Sequence, residues 1–206
     1  MLIDFNTLWP KYNINPKGVL HIGSSSGQET EHYVKLGVKD VVYIEALPEV
    51  FKKLVDYVKK FDCRFTCINA CISDKDNEEI IFNVANNEGQ SSSMLKFGTH
   101  KKQHPSVRFI DEIKLVTTRI DSIYDRYEFP ELQFLNVDLQ GADLFAIKSM
   151  GEILHNFKWV YVEVNKDHVY ENCPLVREVN EYLAKFGFKG VEEKWVGNWG
   201  DKLYIR

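Results

Sequence analysis

The sequence predicts an α/β protein built on a mostly parallel sheet, and three observations carry the prediction. Short apolar runs alternate with amphipathic helical segments along most of the chain; the first run enters a turn bounded by two glycines; and acidic or amide residues close several of the later runs. GVLHIG (18–23) reads as the first strand, QETEHYVKLG (28–37) as a helix closed by glycine, and VVYIEA (41–46) as the second strand. PEVFKKLVDYVKKF (48–61) carries proline just inside its start and gathers Val50, Leu54, Val55 and Val58 on one helical face. RFTCINACI (64–72) reads as the third strand, completing a β-α-β-α-β opening with right-handed crossovers.

The middle departs from this rhythm. Residues 77–97 offer a strand and then a polar, turn-rich loop, and KLVTTRI (114–120) looks extended, so 77–120 is expected to be an excursion at the rim of the sheet, near the active site. ELQFLNVD (131–138) resumes the alternation, followed by a helix at 142–154, a strand at 158–165 and a helix at 174–187. FKGVEEKWV and DKLYIR are two closing strands, with NWGD (198–201) as the expected hairpin turn. No internal repeat interrupts the chain, so residues 1–206 are expected to form one domain, with 1–17 as an N-terminal lead.

Composition narrows the class. Hydrophobic content of 44% and charged content of 27% suit a globular protein, and no apolar run approaches a membrane span of roughly 18 residues. The opening residues lack the basic start and apolar segment of a signal peptide, which points to a cytoplasmic location without membrane association. A net charge of −4 gives no overall attraction to nucleic acid, and the basic stretch KFGTHKKQH (96–104) is expected to be a solvated loop. Cys63, Cys67 and Cys71 are evenly spaced by four but lack the second pair of a zinc site; with Cys173 they read as buried free thiols.

The glycine turn, HIGSSSGQE, is not a P-loop, because no lysine and hydroxyl follow Gly27, and it lacks the third glycine of a dinucleotide fingerprint. Glu29, in the first turn of the following helix, would repel a pyrophosphate. In an open parallel sheet the ligand lies beyond the carboxyl ends of the strands. The residues there are Gly23–Gly27, Glu45 with Ala46, Asn69–Cys71, Asp138, and Glu163 with Asn165. Glu45 lies 22 residues beyond Gly23, where an acid accepts hydrogen bonds from the two ribose hydroxyls of an adenosine. Ala70, small and set between Asn69 and Cys71, leaves room for a flat base.

The order of pieces resembles the class I S-adenosylmethionine-dependent methyltransferases, and within them the FkbM type. The matching stretches are VLHIGSSSGQET, VVYIEALPEVFKKL, NACISD followed by FNVANNEGQSSSML, RIDSI, FLNVDLQGADLFAIKSM, and VYVEVN followed by a helix ending LAKFGF. VDLQGADLFAIKSM is the most specific of these, having no obvious general structural reason. The resemblance implies a Rossmann-like fold with a seven-stranded sheet, the last strand antiparallel, and methyl transfer to an oxygen, often a sugar hydroxyl. It implies S-adenosylmethionine as cofactor, held by His21, Gly23, Ser24, Ser25, Gly27, Glu45, Ala46, Asn69, Ala70, Cys71, Ser92 and Asp138. Backbone amides around Ser24–Gly27 are expected to take its carboxylate, and nearby acids its cationic groups. The chain departs from many relatives at His21, where they carry aspartate, and at Asn136, where they carry lysine or arginine.

A sugar hydroxyl must lose its proton to attack a methyl carbon. Asp138 is the first candidate base, Glu163 and Asn165 stand one strand over, and His168 is the alternative with a suitable unperturbed pKa. Asp138, Glu163 and Asn165 also look like the magnesium site of catechol O-methyltransferase, so a divalent metal such as magnesium or manganese is a candidate cofactor. Trp199, in a polar turn, and Tyr170 are candidates for the rim of an acceptor pocket, whereas Trp195 reads as core. The expected acceptor is a carbohydrate or glycan, with a place as one domain of a larger glycan-modifying protein left open. Three competing functions remain: methyl transfer to another small molecule, a binding module that has lost the chemistry, and a nicotinamide oxidoreductase. The last lacks both a third glycine and a Tyr-x-x-x-Lys pair. Methylation of a base amino group lacks its Asn/Asp-Pro-Pro-aromatic stretch.

Overall fold

All five residues of β1 (Gly18–Ile22) are buried, as a central strand requires when both faces of its sheet are covered. The computed structural model, which describes residues 1–206, places it inside a seven-stranded sheet. Its neighbours are β2 (Asp40–Glu45) with β3 (Arg64–Asn69) beyond on one side, and β7 (Phe134–Val137), β8 (Trp159–Asn165), β10 (Trp199–Ile205) and β9 (Lys189–Val196) on the other. The order is β3-β2-β1-β7-β8-β10-β9. Pairings up to β8 are parallel, and β10 runs antiparallel to both β8 and β9.

Alternation along the strands sorts the core into two layers. Val19, Val41, Tyr43, Phe134, Tyr161 and Leu203 face α1 (Phe5–Lys11), α2 (Thr30–Lys35) and α3 (Pro48–Val58). Leu20, Ile22, Val42, Ile44, Leu135, Val137, Val160 and Val162 face α5 (Ile120–Tyr124), α6 (Asp143–Ser149) and α7 (Val176–Lys185). The order reverses between β1 and β7, so the loops leaving these two strands diverge and open a crevice at their carboxyl ends.

The structure adds detail to the lead and the excursion and corrects three expectations: the extent of the third strand, the hairpin turn and the basic stretch. The N-terminal lead carries a helix: α1 buries Phe5, Leu8 and Trp9, and Phe5 packs on Trp9, Tyr33, Phe134 and Tyr161 at 4.9–5.9 Å between ring centroids. The third strand breaks after Asn69, because Cys71–Ile72 (β4) leaves the main sheet to pair with β6 (Phe109–Thr118). With β5 (Glu79–Ala85) these form a second sheet in the order β4-β6-β5, so the excursion is built on a sheet of its own. The hairpin turn is Gly197–Asn198, not 198–201. Val196 pairs directly with Trp199, and the positive φ of Gly197 suits the first position of a tight two-residue turn.

The basic stretch 96–104 is also only partly solvated. Lys96, Lys101 and Lys102 are exposed, but Phe97 and His100 are buried. Gly98, Thr99 and His100 donate backbone hydrogen bonds to the carbonyls of Val169, His168 and Val169 in the loop after β8. A Cβ on Gly98 would lie 2.1 Å from the His168 carbonyl oxygen, which fixes glycine at this contact.

If the lead belongs to the core, Phe5→Ala should cost roughly 3–5 kcal/mol of stability. Denaturant melts would show it, and a loss under about 0.5 kcal/mol would count the lead as surface.

Candidate active site

The crevice holds a cavity of about 460 Å³ whose wall draws on the loops after β1, β2, β7 and β8, on β4 and on the excursion. The glycine turn supplies Gly23, Ser24, Ser25, Gln28 and Glu29. Its two glycines have different tasks. Gly23, at φ +77°, passes so close to β7 that a Cβ would sit 1.9 Å from the Asp138 carbonyl oxygen. Gly27, at φ +83°, faces Leu54 of α3 and does not line the cavity.

The backbone amides offered to a ligand carboxylate are largely spent. Ser24 N–H donates to Ile44 O, Gly27 N–H to Ser24 O, and Ser25 N–H to Glu45 Oε2 at 2.9 Å. Glu45 Oε1 accepts from Leu47 N–H at 2.8 Å, so both carboxylate oxygens are anchored at the end of β2 with lone pairs to spare. Ala46, Cys71 and Ser92 also line the cavity, together with Leu47, Val50, Ile72 and Phe82. Asn69 and Ala70 do not: the Asn69 side chain instead donates to the carbonyls of Glu45 and Ala46, fastening the strand end from outside. Ser92 Oγ accepts from Ala85 N–H, and Ser93 Oγ donates to Gln140 O, tying the excursion to the loop after β7.

His21 lines the cavity from the middle of the sheet, 2% exposed. Burial lowers its pKa to about 3, so it is neutral at physiological pH. Its Nδ1 lies 3.4 Å from Tyr33 Oη, which accepts from Asn136 Nδ2 at 2.7 Å. His21 and Asn136 are paired residues of β1 and β7. The two departures noted in the sequence are therefore neighbours joined through one tyrosine.

At the junction of β7 and β8 the acids converge. Gln140, held at φ +51°, donates through Nε2 to Asp138 Oδ1 at 2.6 Å and to Glu163 Oε2 at 3.2 Å. Its Oε1 accepts from Tyr170 Oη at 2.7 Å, which fixes the orientation of the amide. Asp143, from the same sequence block, turns away from the cavity and accepts from the backbone of Leu139 and Gly141. The block thus has a structural reason after all: its second acid caps the turn that presents Asp138 and Gln140.

Burial raises the pKa of Glu29, Glu45, Asp138 and Glu163, and of Asp143 to about 8. An ammonium group is welcome among these acids. Burial alone would lower the pKa of the Met1 amino group, which reaches the cavity, but Asp138, Asp201, Glu29 and Glu163 outweigh it and raise it.

The remaining candidates separate. Asn165 is buried on β8 outside the cavity wall, with its Oδ1 unpaired. His168 is exposed on the outer side of its loop, its Nδ1 3.1 Å from Cys173 O, and it too is absent from the wall. Of the three candidate metal ligands, only Asp138 and Glu163 line the cavity, with the Gln140 amide between them. No group of three or more His, Cys, Asp or Glu side chains converges to hold an ion. Gln140 Nε2, donating to both carboxylates, holds the place between them that an ion would take. Glu29, Gln140, His100 and His104 are cavity residues that sequence reasoning did not assign. Gln140 stood inside the quoted block, and the histidines stood inside the basic stretch.

The raised acids set a pH dependence. A carboxylate whose folded pKa exceeds its unfolded value stabilises the fold fully below the unfolded value, and that contribution is lost as pH rises through the folded one. For Asp143 the window runs from 3.8 to about 8. The melting temperature of the ligand-free protein should therefore decline across the upper part of this interval, and less steeply in Asp143→Asn. A steady rise in both proteins would contradict the burial of these acids.

The comparisons agree with this architecture. The family model described as the methyltransferase FkbM domain matches residues 21–189. The 2-O-methyltransferase NoeI of Sinorhizobium fredii (strain NBRC 101917 / NGR234) is 24% identical over 175 residues, 82% of this chain and 71% of that protein. TrmK of M. capricolum, solved with S-adenosyl-homocysteine, superposes with a TM-score of 0.54 at 8% identity, over 100% of this chain and 69% of its own. The precorrin-6y C5,15-methyltransferase of Geobacter metallireducens GS-15 gives 0.53 at 12% identity, over 98% and 86%. These two likenesses show the fold. No helix is long and apolar enough to cross a membrane. The matched domain, which spans the glycine turn, Glu45 and the Asp138 block, shows that the chain belongs to the FkbM family of S-adenosylmethionine-dependent methyltransferases.

Proposed function

We propose that the protein transfers the methyl group of S-adenosylmethionine to a hydroxyl of a sugar, within a glycan or a glycosylated metabolite. The observation that carries this reading is the division of one cavity into an acidic half around the glycine turn and an aromatic half formed by Tyr170, Trp199 and the excursion. Glu29, Asp138 and Glu163 would receive the cationic end of the cofactor, Glu45 the ribose hydroxyls, and Leu47, Val50, Ile72 and Phe82 the base. The bound cofactor supplies an activated methyl carbon on a positive sulfur. Buried carboxylates beside it favour positive charge, and their raised pKa values bring Asp138 and Glu163 closer to the range useful for accepting a proton. Gln140 holds these two oxygens in place, and Tyr170 holds Gln140.

The kinship to a 2-O-methyltransferase supports oxygen as the acceptor atom. The aromatic wall supports a sugar, whose apolar ring faces stack on indole and phenol. The net charge of −4 and the acidic cavity favour such an acceptor over nucleic acid.

Calorimetric titration with S-adenosylmethionine, followed by turnover on a panel of methyl glycosides, tests the reading. Binding without transfer to any glycoside would reject the sugar. Glu45→Ala removes the ribose acceptor and leaves Ser25 and Leu47 N–H without their partner, so it should weaken cofactor binding by about tenfold or more. Unchanged affinity in a folded variant would dismiss that contact.

A further inference from the structure

The excursion's short helix α4 (His100–Gln103) places a histidine on the cavity wall that nothing in the chain satisfies. His100 is 5% exposed, and its Nδ1 is enclosed without a hydrogen-bond partner. Its ring stacks on Phe97 with centroids 4.1 Å apart and planes at 4°, and Phe97 stacks in turn on Phe109 at 3.8 Å. The imidazole is therefore held rigidly by carbon neighbours while a polar atom goes unpaired. Leaving such an atom unsatisfied costs about 1–3 kcal/mol, a cost that a ligand can relieve.

A second unpaired polar atom belongs to the same half of the cavity. Trp199 lines the wall at the start of β10, and its Nε1–H is buried with no acceptor. Tyr170 stands between these two and the acids. Its ring lies 5.5 Å from His100, and its hydroxyl bonds to Gln140. His104, 5.0 Å from His100, completes the wall with Val107.

We propose that His100, His104, Tyr170 and Trp199 form the acceptor subsite, in which His100 accepts a hydrogen bond from a sugar hydroxyl and Trp199 Nε1 donates one to a sugar oxygen. The aromatic faces pack on the ring between these two contacts. The ionisable side chains that face His100 are His104, on the segment just beyond its own helix, and Tyr170, on the loop after β8. Burial, helped by His104, lowers the pKa of His100 to about 4, so its imidazole keeps a free lone pair through the neutral range. This subsite rests on the sugar reading above and adds to it the residues that select the acceptor.

The test compares wild type with His100→Phe, which keeps the stack on Phe97, and with Trp199→Phe. Melting temperature, which loss of an unpaired buried polar atom should hold or raise, and S-adenosylmethionine affinity, which should be unchanged, are measured first. Turnover on the methyl glycoside panel should then show KM raised about tenfold by each variant, with a smaller change in kcat, as loss of one hydrogen bond to a bound hydroxyl requires. If a glycoside is methylated and both variants keep the wild-type KM, the subsite is wrong and the sugar reading stands. If S-adenosylmethionine binds and no glycoside is methylated, the sugar reading fails and the subsite falls with it.

Discussion

At the centre of the sheet the backbone leaving β1 passes against the backbone leaving β7, with the Cα of Gly23 facing the Asp138 carbonyl at a distance that admits no side chain. The rest of the site depends on this approach. It lets β1 and β7 lie side by side at full register while their loops part in opposite directions, and the gap that opens is the crevice. Glu45 then hooks the far side of the glycine turn through Ser25, and Asp143 secures the turn after Asp138. The walls are set by backbone geometry first and by side chains second.

The electrostatics follow from the same placement. Several carboxylates end at one point because strands of a parallel sheet end at one edge. Removed from water, they raise one another's affinity for protons and attract an ammonium or a sulfonium. Gln140 is the neutral partition between this acidic half and the aromatic half, donating to the acids on one side and accepting from Tyr170 on the other. A charged residue there would unbalance one half or the other.

Much of this was legible in the sequence. The alternation of apolar runs gave the parallel sheet because central strands are buried on both faces, and the strand-end acids could be counted along the chain. What escaped reading was the work of residues whose role is set by contacts distant in sequence. Cys71–Ile72 is spelled like the end of a strand but pairs with Thr117–Thr118. His100 sits among lysines that are indeed solvated, and only the docking of Gly98 on the loop after β8 turns its ring inward. Gly27 looked like a ligand contact because helix packing and ligand approach both ask for glycine. Asn69 stood at the right strand end, but its side chain faces the backbone of β2, not the cavity.

The excursion is joined to the loop after β8 largely through backbone groups: four amides on three carbonyls, with a glycine at the closest point and the Tyr170 hydroxyl on Ser91 O beside them. Most of such a seam does not depend on side-chain identity. The residues that hang from it without fastening the acids, His100 and His104 on one side and Val169 on the other, can be exchanged without moving the seam itself. A fold joined in this way can change its acceptor by substitution in a few positions while the cofactor half stays as it is, which makes the roof of the cavity the part of the molecule most open to evolutionary change.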